Sequence, residues 1–172
     1  MKKTFVSCCL LKKSNKILIT SRPEGKFLSG YWELPGGKLL THESFEDCAV
    51  RELYEEIGVT IEKDNLDNID LVTHRYKNTI IIMMIYLVEF WTGKIKLKEK
   101  QQLRWLNRKD IKQFKYLPGS QIIFDKIYEN FVKSIDAIDN GINQYKTKEE
   151  PLYYVSSGLG NRVGRLNPMW TE

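Results

Sequence analysis

At 172 residues the chain is long enough for one domain with a substantial core and a terminal appendage. Its 27 Lys and Arg against 22 Asp and Glu leave a formal charge of +5, which suits an anionic small molecule. Without a basic run it is not the footprint of a protein that binds a nucleic-acid polymer. Three cysteines, two of them adjacent at Cys8 and Cys9, form neither a metal-ligand spacing nor a disulfide framework, and read as small core residues in a reducing compartment. No stretch approaches the ~20 apolar residues of a membrane span. The apolar run after Met1-Lys2-Lys3 is about eight residues long and ends at Lys12-Lys13, too short for a signal peptide. A cytoplasmic protein with no membrane partner is expected.

Residues 4–11 and 16–21 are β-rich runs, and the polar Lys12-Lys13-Ser14-Asn15 between them predicts a hairpin. Residues 22–30, rich in Pro and Gly, predict a loop leading to the short apolar piece Tyr31–Leu34. Gly36 and Gly37 then read as a second loop, and a helix follows from Ser44, a suitable N-cap, to Gly58, a suitable C′ residue. Strands are predicted at about 69–76 and 79–90 with Lys77-Asn78 as the turn; the continuous apolar run of the second implies cover on both faces. Leu103–Leu106 reads as another strand, Asn107 or Asp110 as the cap of a short helix, and Leu117-Pro118-Gly119 as a break. Ile122, Ile123, Ile127, Phe131 and Ile135 predict a second long helix from Ser120 to about Asp136. Strands enclosed by two helices make an α+β fold with a mixed sheet between helical layers. The boundaries expected are 1–137 for the domain and 138–172 for an extension, packed through Tyr153, Tyr154, Leu166 and Trp170 or serving as an interface. Its glycine-rich Gly158–Arg165 lacks the strand-to-helix context of a phosphate loop.

The chemistry is concentrated between Gly36 and Val59. On a helical wheel Ala49, Val50, Leu53, Tyr54 and Ile57 share one side, while Glu52, Glu55 and Glu56 bunch on the other. Like charges so placed cost roughly 0.2–0.5 kcal/mol per pair. A hard divalent cation, bound through carboxylates and substrate phosphates, turns that repulsion into coordination. Alone, Glu-x-x-Glu-Glu is an ordinary solvated acidic face, but the frame is wider. Gly37, Glu43, Arg51-Glu52-Leu53, Glu55-Glu56 and Gly58-Val59 stand at the spacing of the Nudix box. Leaving aside the apolar Leu53 and Val59, seven fixed residue types at fixed spacing arise by chance at on the order of 10⁻⁸ per start position, at roughly one residue in fifteen for each type.

These residues resemble the Nudix hydrolases, and among them the MutT group of nucleoside triphosphate pyrophosphohydrolases. The likeness runs from residue 1 to about 135, through Glu33-Leu34-Pro35-Gly36-Gly37-Lys38, Leu87-Val88-Glu89 and Lys98-Glu99-Lys100-Gln101. It implies a Nudix-type α/β/α sandwich and a Mg²⁺-dependent reaction, with Mn²⁺ as a substitute, that converts a triphosphate such as 8-oxo-dGTP to the monophosphate and pyrophosphate. It also implies a metal held by Glu52, Glu55, Glu56 and the carbonyl of Gly36, with Glu99 assisting the metal or the water. Glu52 is the expected base, Arg51 the ion-pairing residue that orients the carboxylates, and Glu43 a further member of the catalytic set.

For the nucleotide, the resemblance implies contacts from Arg22, Phe27, Glu33, Leu34, Pro35, Gly36 and Gly37, with Tyr76 available to stack a base. The departure is at Ser120, where MutT-like enzymes usually place Asn or Asp to read the purine edge; one hydroxyl cannot form the pair that a two-ended amide forms. Rival substrates are ADP-ribose and dinucleoside polyphosphates. The rival of another class is a nucleotide-binding module without catalysis, which would have no need of mutually repelling carboxylates. Oligomeric state is left open by the sequence.

Overall fold

The computed structural model describes residues 1–98 and 101–146, with side chains to residue 134. Glu99 and residues 147–172, including the aromatics and the glycine-rich stretch expected to form the extension, lie outside the described residues.

The order is β1 (Lys2–Lys13), β2 (Lys16–Ser21), β3 (Trp32–Glu33), β4 (Gly36–Lys38), α1 (Phe45–Ile57), β5 (Asp67–Tyr76), β6 (Thr79–Val88), β7 (Leu103–Asn107) and α2 (Pro118–Lys146). The long β1 lies at the centre. It runs parallel to β6 from Lys2↔Thr79 to Leu11↔Val88 and antiparallel to β4 at Val6↔Lys38, Ser7↔Gly37 and Cys8↔Gly36. The expected hairpin closes with Lys12↔Ile17 and Lys13↔Lys16, while β2 also pairs with β3 and β7, and β5 pairs with β6.

The two-residue period of the strands divides the core between the faces of this mixed sheet. Cys8 and Leu10 of β1 with Met83, Ile85 and Leu87 of β6 join Ile123, Phe124 and Ile127 of α2. Their neighbours Cys9, Leu11, Tyr86 and Val88 join Ala49, Leu53 and Ile57 of α1. The sandwich of two helical layers follows from this alternation.

Several expectations need correction. Gly36 and Gly37 are in a strand, because β1 offers them a hydrogen-bonding edge. The β6 strand ends at Val88 and is fully covered only toward that end: Thr79–Ile82 are half-buried. On α1 Cys48 joins Ala49, Leu53 and Ile57 in the core, whereas Tyr54 is 54% exposed. The short helix is a 3₁₀ segment, Arg108–Gln113, without a side-chain cap. Pro118 opens α2 instead of breaking the chain, as proline at a first turn does, and α2 continues past 136 to Lys146. Among the described residues no helix is long and apolar enough to cross a membrane.

Candidate active site

The α1 helix is fixed at both ends by the residues its sequence suggested. Ser44 Oγ accepts from the Asp47 N–H at 3.0 Å, and its hydroxyl donates to Asp47 Oδ2 at 2.7 Å. Gly58 adopts φ +74° and donates its N–H to Tyr54 O at 3.2 Å. With Cys48, Ala49, Leu53 and Ile57 turned to the core, the wheel directs Glu52, Glu55 and Glu56 away from it; Glu52 and Glu56 meet β4, and Glu55 meets Arg51.

Of the two glycines of β4, Gly36 allows a close approach to β1 and Gly37 a close approach to α1. Gly36, at φ +145°, passes so near β1 that a Cβ would lie 2.8 Å from Cys8 Cα, and a Cβ on Gly37 would fall within the Glu52 carboxylate. The Gly36 N–H donates to Glu56 Oε2 at 3.0 Å, which ties the acidic face to the strand.

Arg51 organises the remaining carboxylates. Its Nε donates to Glu43 Oε1 at 2.7 Å and its Nη2 to Glu43 Oε2 at 2.9 Å; Nη1 donates to Glu52 Oε1 at 2.7 Å and Glu55 Oε2 at 3.0 Å. Nη2 also reaches the Lys38 carbonyl at 3.1 Å. The Arg51 hydrogen bonds, aided by the Leu40 N–H at 2.8 Å, hold the Glu43 carboxyl below its usual range. Hydrogen bonds from Arg51 to Glu43 first and then Glu52 keep the guanidinium charged.

Among the described residues no three His, Cys, Asp or Glu side chains converge as a ready cage for a metal ion. The donor set nevertheless fits a hard divalent ion: Glu52, Glu55 and Glu56 are all carboxylates on one helix face, and the guanidinium of Arg51 already meets two of them.

Beside this acidic face opens a cleft of about 790 Å³, within the range of small-molecule sites. Arg22, Phe27, Glu33, Leu34, Gly36, Gly37, Tyr76 and Ser120 all line it; Pro35 does not, its carbonyl accepting instead from the Cys9 N–H at 2.8 Å. Arg22 spans the loop, donating from Nε to Phe27 O at 2.9 Å and from Nη1 to Glu33 Oε1 at 3.0 Å. Phe27 is 76% exposed at the rim. Tyr76 packs edge-on to His74 with centroids 4.5 Å apart, and Ser120 is only 5% exposed. The residue-by-residue reading missed Lys2, Thr4, Val6 and Cys8 of β1 and Ile81 and Met83 of β6. A strand alternates its faces, but the sequence did not show which face of these two would be left open. Burial and then the Glu33 carboxylate push the pKa of the Cys8 thiol far up, which disfavours its thiolate.

A family profile described as NUDIX domain matches residues 1–127. An 8-oxo-dGTP diphosphatase from Buchnera aphidicola subsp. Schizaphis graminum (strain Sg) is 33% identical over 126 residues, 73% of this chain and 94% of that protein. The chain belongs to the Nudix family, among its MutT-like hydrolases. A solved MutT structure, from work on the Aliivibrio salmonicida and Vibrio cholerae proteins, superposes on this Nudix hydrolase with a TM-score of 0.64 and 27% identity, covering 75% of this chain and 99% of that one. The C-terminal part of the Nudix hydrolase has a second likeness. Residues 96–172 match a profile described as Uncharacterised protein family (UPF0160), and mouse (Mus musculus) MYG1 exonuclease is 52% identical over 50 residues, 29% of this chain but 13% of that protein.

Proposed function

We propose that this MutT-like hydrolase acts in the cytoplasm on a purine (deoxy)nucleoside triphosphate, with 8-oxo-dGTP the leading candidate, releasing the monophosphate and pyrophosphate with Mg²⁺. One observation carries the reading: a single cleft joins Gly36 and Gly37, which face the α1 carboxylates, to Arg22, Tyr76 and Ser120. A substrate with phosphates at one end and a flat base at the other matches that layout, and the diphosphatase named above supplies the candidate. Nudix hydrolases require a divalent metal; the choice of Mg²⁺ rests on the all-oxygen donor set.

In this scheme Glu52, Glu55 and Glu56 hold the metal, with Glu99 assisting. The metal, when bound, neutralises phosphate oxygens that would otherwise repel an attacking water. Glu52 takes the proton of that water, being fixed between Gly37 and Arg51. Arg51 holds Glu52 and Glu55 in place through its anchor on Glu43. Arg22 braces the rim around Phe27, Tyr76 stacks on the base, and Glu33 with Ser120 provides polar contacts to its edge. The boundary expected at 137 falls inside α2, which runs to Lys146, and the scheme assigns no role to the residues beyond it.

The test is a hydrolysis panel with Mg²⁺ over dNTPs, 8-oxo-dGTP, ADP-ribose and diadenosine polyphosphates, with pyrophosphate release distinguished from phosphate. Preference for a purine triphosphate with pyrophosphate as product is expected. No turnover of any member would favour the binding-module alternative. Glu56→Gln should abolish turnover with unchanged circular dichroism, and wild-type rates in that variant would refute its ligand role.

A further inference from the structure

Two hydroxyls of the sheet, both on buried residues, tether the first turn of α1. Ser7, in the middle of β1, donates from Oγ to Phe45 O at 2.6 Å. Tyr86, on the neighbouring β6, donates to Glu46 Oε1 at 2.9 Å. Helix geometry already gives the Phe45 carbonyl the N–H four residues on, so the Ser7 hydroxyl is not needed to satisfy it. What that hydroxyl adds is a link between strand and helix.

The two tethers differ in what they hold. Tyr86 holds a side chain, which can turn about its own bonds. Ser7 holds the backbone of the helix, and its own backbone stands in register with Gly37 of β4. One residue thus touches both walls of the gap between β4 and α1. Along that gap a single row of α1 side chains, one turn apart, meets the strand. The Cys48 thiol donates to Gly37 O at 3.4 Å, the Glu52 carboxylate fills the space that a Gly37 Cβ would need, and Glu56 Oε2 accepts from the Gly36 N–H at 3.0 Å.

We propose that Ser7 is a positioning residue for the hydrolytic site: its hydroxyl sets the spacing of α1 from β4, and with it the place of Glu52 and Glu56. This rests on the reading above that those two carboxylates hold the metal and direct the water. Displacing a catalytic group by an ångström costs about 10² in rate. Loss of one tether, with the other contacts of the row left in place, should cost less, about tenfold.

The test uses the full chain in five forms: wild type, Ser7→Ala, Tyr86→Phe, Gly37→Ala, and Ser7→Ala with Gly37→Ala. Three quantities are read: melting temperature, Mn²⁺ affinity by paramagnetic resonance, and kcat and KM for the preferred nucleotide. Ser7→Ala and Tyr86→Phe each delete one hydroxyl and should each lower the melting temperature by about 2–4 °C, the scale of one buried hydrogen bond in a domain of this size. Ser7→Ala should also weaken Mn²⁺ binding by about tenfold, as loss of a supporting group does, and lower kcat with little change in KM. Tyr86→Phe should leave affinity and kcat at the wild-type level. Because residues 7 and 37 act on the same gap, the double variant should lose less affinity and kcat than the product of the two single losses. Wild-type affinity and kcat in Ser7→Ala would overturn the proposal. Equal losses in Tyr86→Phe, or losses in the double variant that simply multiply, would overturn it too, since a general loosening of helix from sheet would then explain them. If the wild-type protein hydrolyses no nucleotide, the functional reading fails, while the Mn²⁺ affinities of the five forms still decide whether Ser7 sets the gap.

Discussion

Gly37 and Glu52 face each other across the gap between β4 and α1 with no room for a β-carbon at position 37: one placed there would fall within the Glu52 carboxylate. The glycine serves the carboxylate more than the turn. Gly37→Ala must therefore move Glu52 or pry β4 from the helix. The first response should cost about 10² in kcat, the usual penalty of displacing a catalytic group by an ångström, with a nearly unchanged melting temperature. Steady-state kinetics alongside calorimetry checks this. A fully active alanine variant would show that Glu52 is not held where the chemistry needs it.

Arg51 grips Glu43 through two nitrogens and reaches Glu52 and Glu55 with a third. Lysine cannot reproduce that fork. Arg51→Lys should weaken metal binding by about tenfold or more, as loss of a supporting group around a metal site does. Titration of Mn²⁺ into both proteins by calorimetry gives the ratio.

Glu43 also carries a pH signature. Its folded pKa lies below the ordinary value of 4.5, chiefly because of the hydrogen bonds from Arg51. A depressed carboxyl stabilises the fold fully above its unfolded pKa, and that contribution is lost as pH falls through the folded one. Urea midpoints of wild type and Glu43→Gln should thus differ most at neutral pH and converge as the pH drops below about 4. A gap that widened in acid would contradict the ion pair.

The caps of α1 allow a test of stability. Ser44→Ala removes the acceptor for the Asp47 N–H and should cost about 1 kcal/mol. Gly58→Ala forces a side chain into φ +74° at a cost of about 1–2 kcal/mol. For a domain of this size each kcal/mol lowers the melting temperature by about 2–4 °C. Scanning calorimetry resolves shifts of that size.

Ser120 lies 5% exposed on the wall of the cleft. Ser120→Asn adds a donor and an acceptor in one plane, and a two-point contact with a base edge discriminates by about 1–3 kcal/mol. The kcat/KM ratio of 8-oxo-dGTP to dTTP should rise about tenfold. An unchanged ratio would place the base elsewhere in the cleft.

Much of the fold was legible in local pattern. The Ser44 and Gly58 caps and the hairpin turn within Lys12–Asn15 are short-range features, and each is found where the pattern put it. What escaped depends on neighbours distant in the chain. Nothing local marks Gly36–Lys38 as a strand, since it is one only because β1 runs beside it. Tyr54 lies on the apolar side of the wheel and is nevertheless exposed, its ring meeting the Lys98 ammonium and not the core.

The sequence by itself determined the chemistry: crowded carboxylates on a capped helix behind two glycines, at a spacing that names the family. The tertiary structure decided which of them meet. It set Arg51 among Glu43, Glu52 and Glu55, put Glu56 on the Gly36 N–H, and made one cleft of residues as far apart as Lys2 and Ser120. Spacing along a helix fixes which side chains share a face, but only the packing of sheet and helices fixes what that face meets.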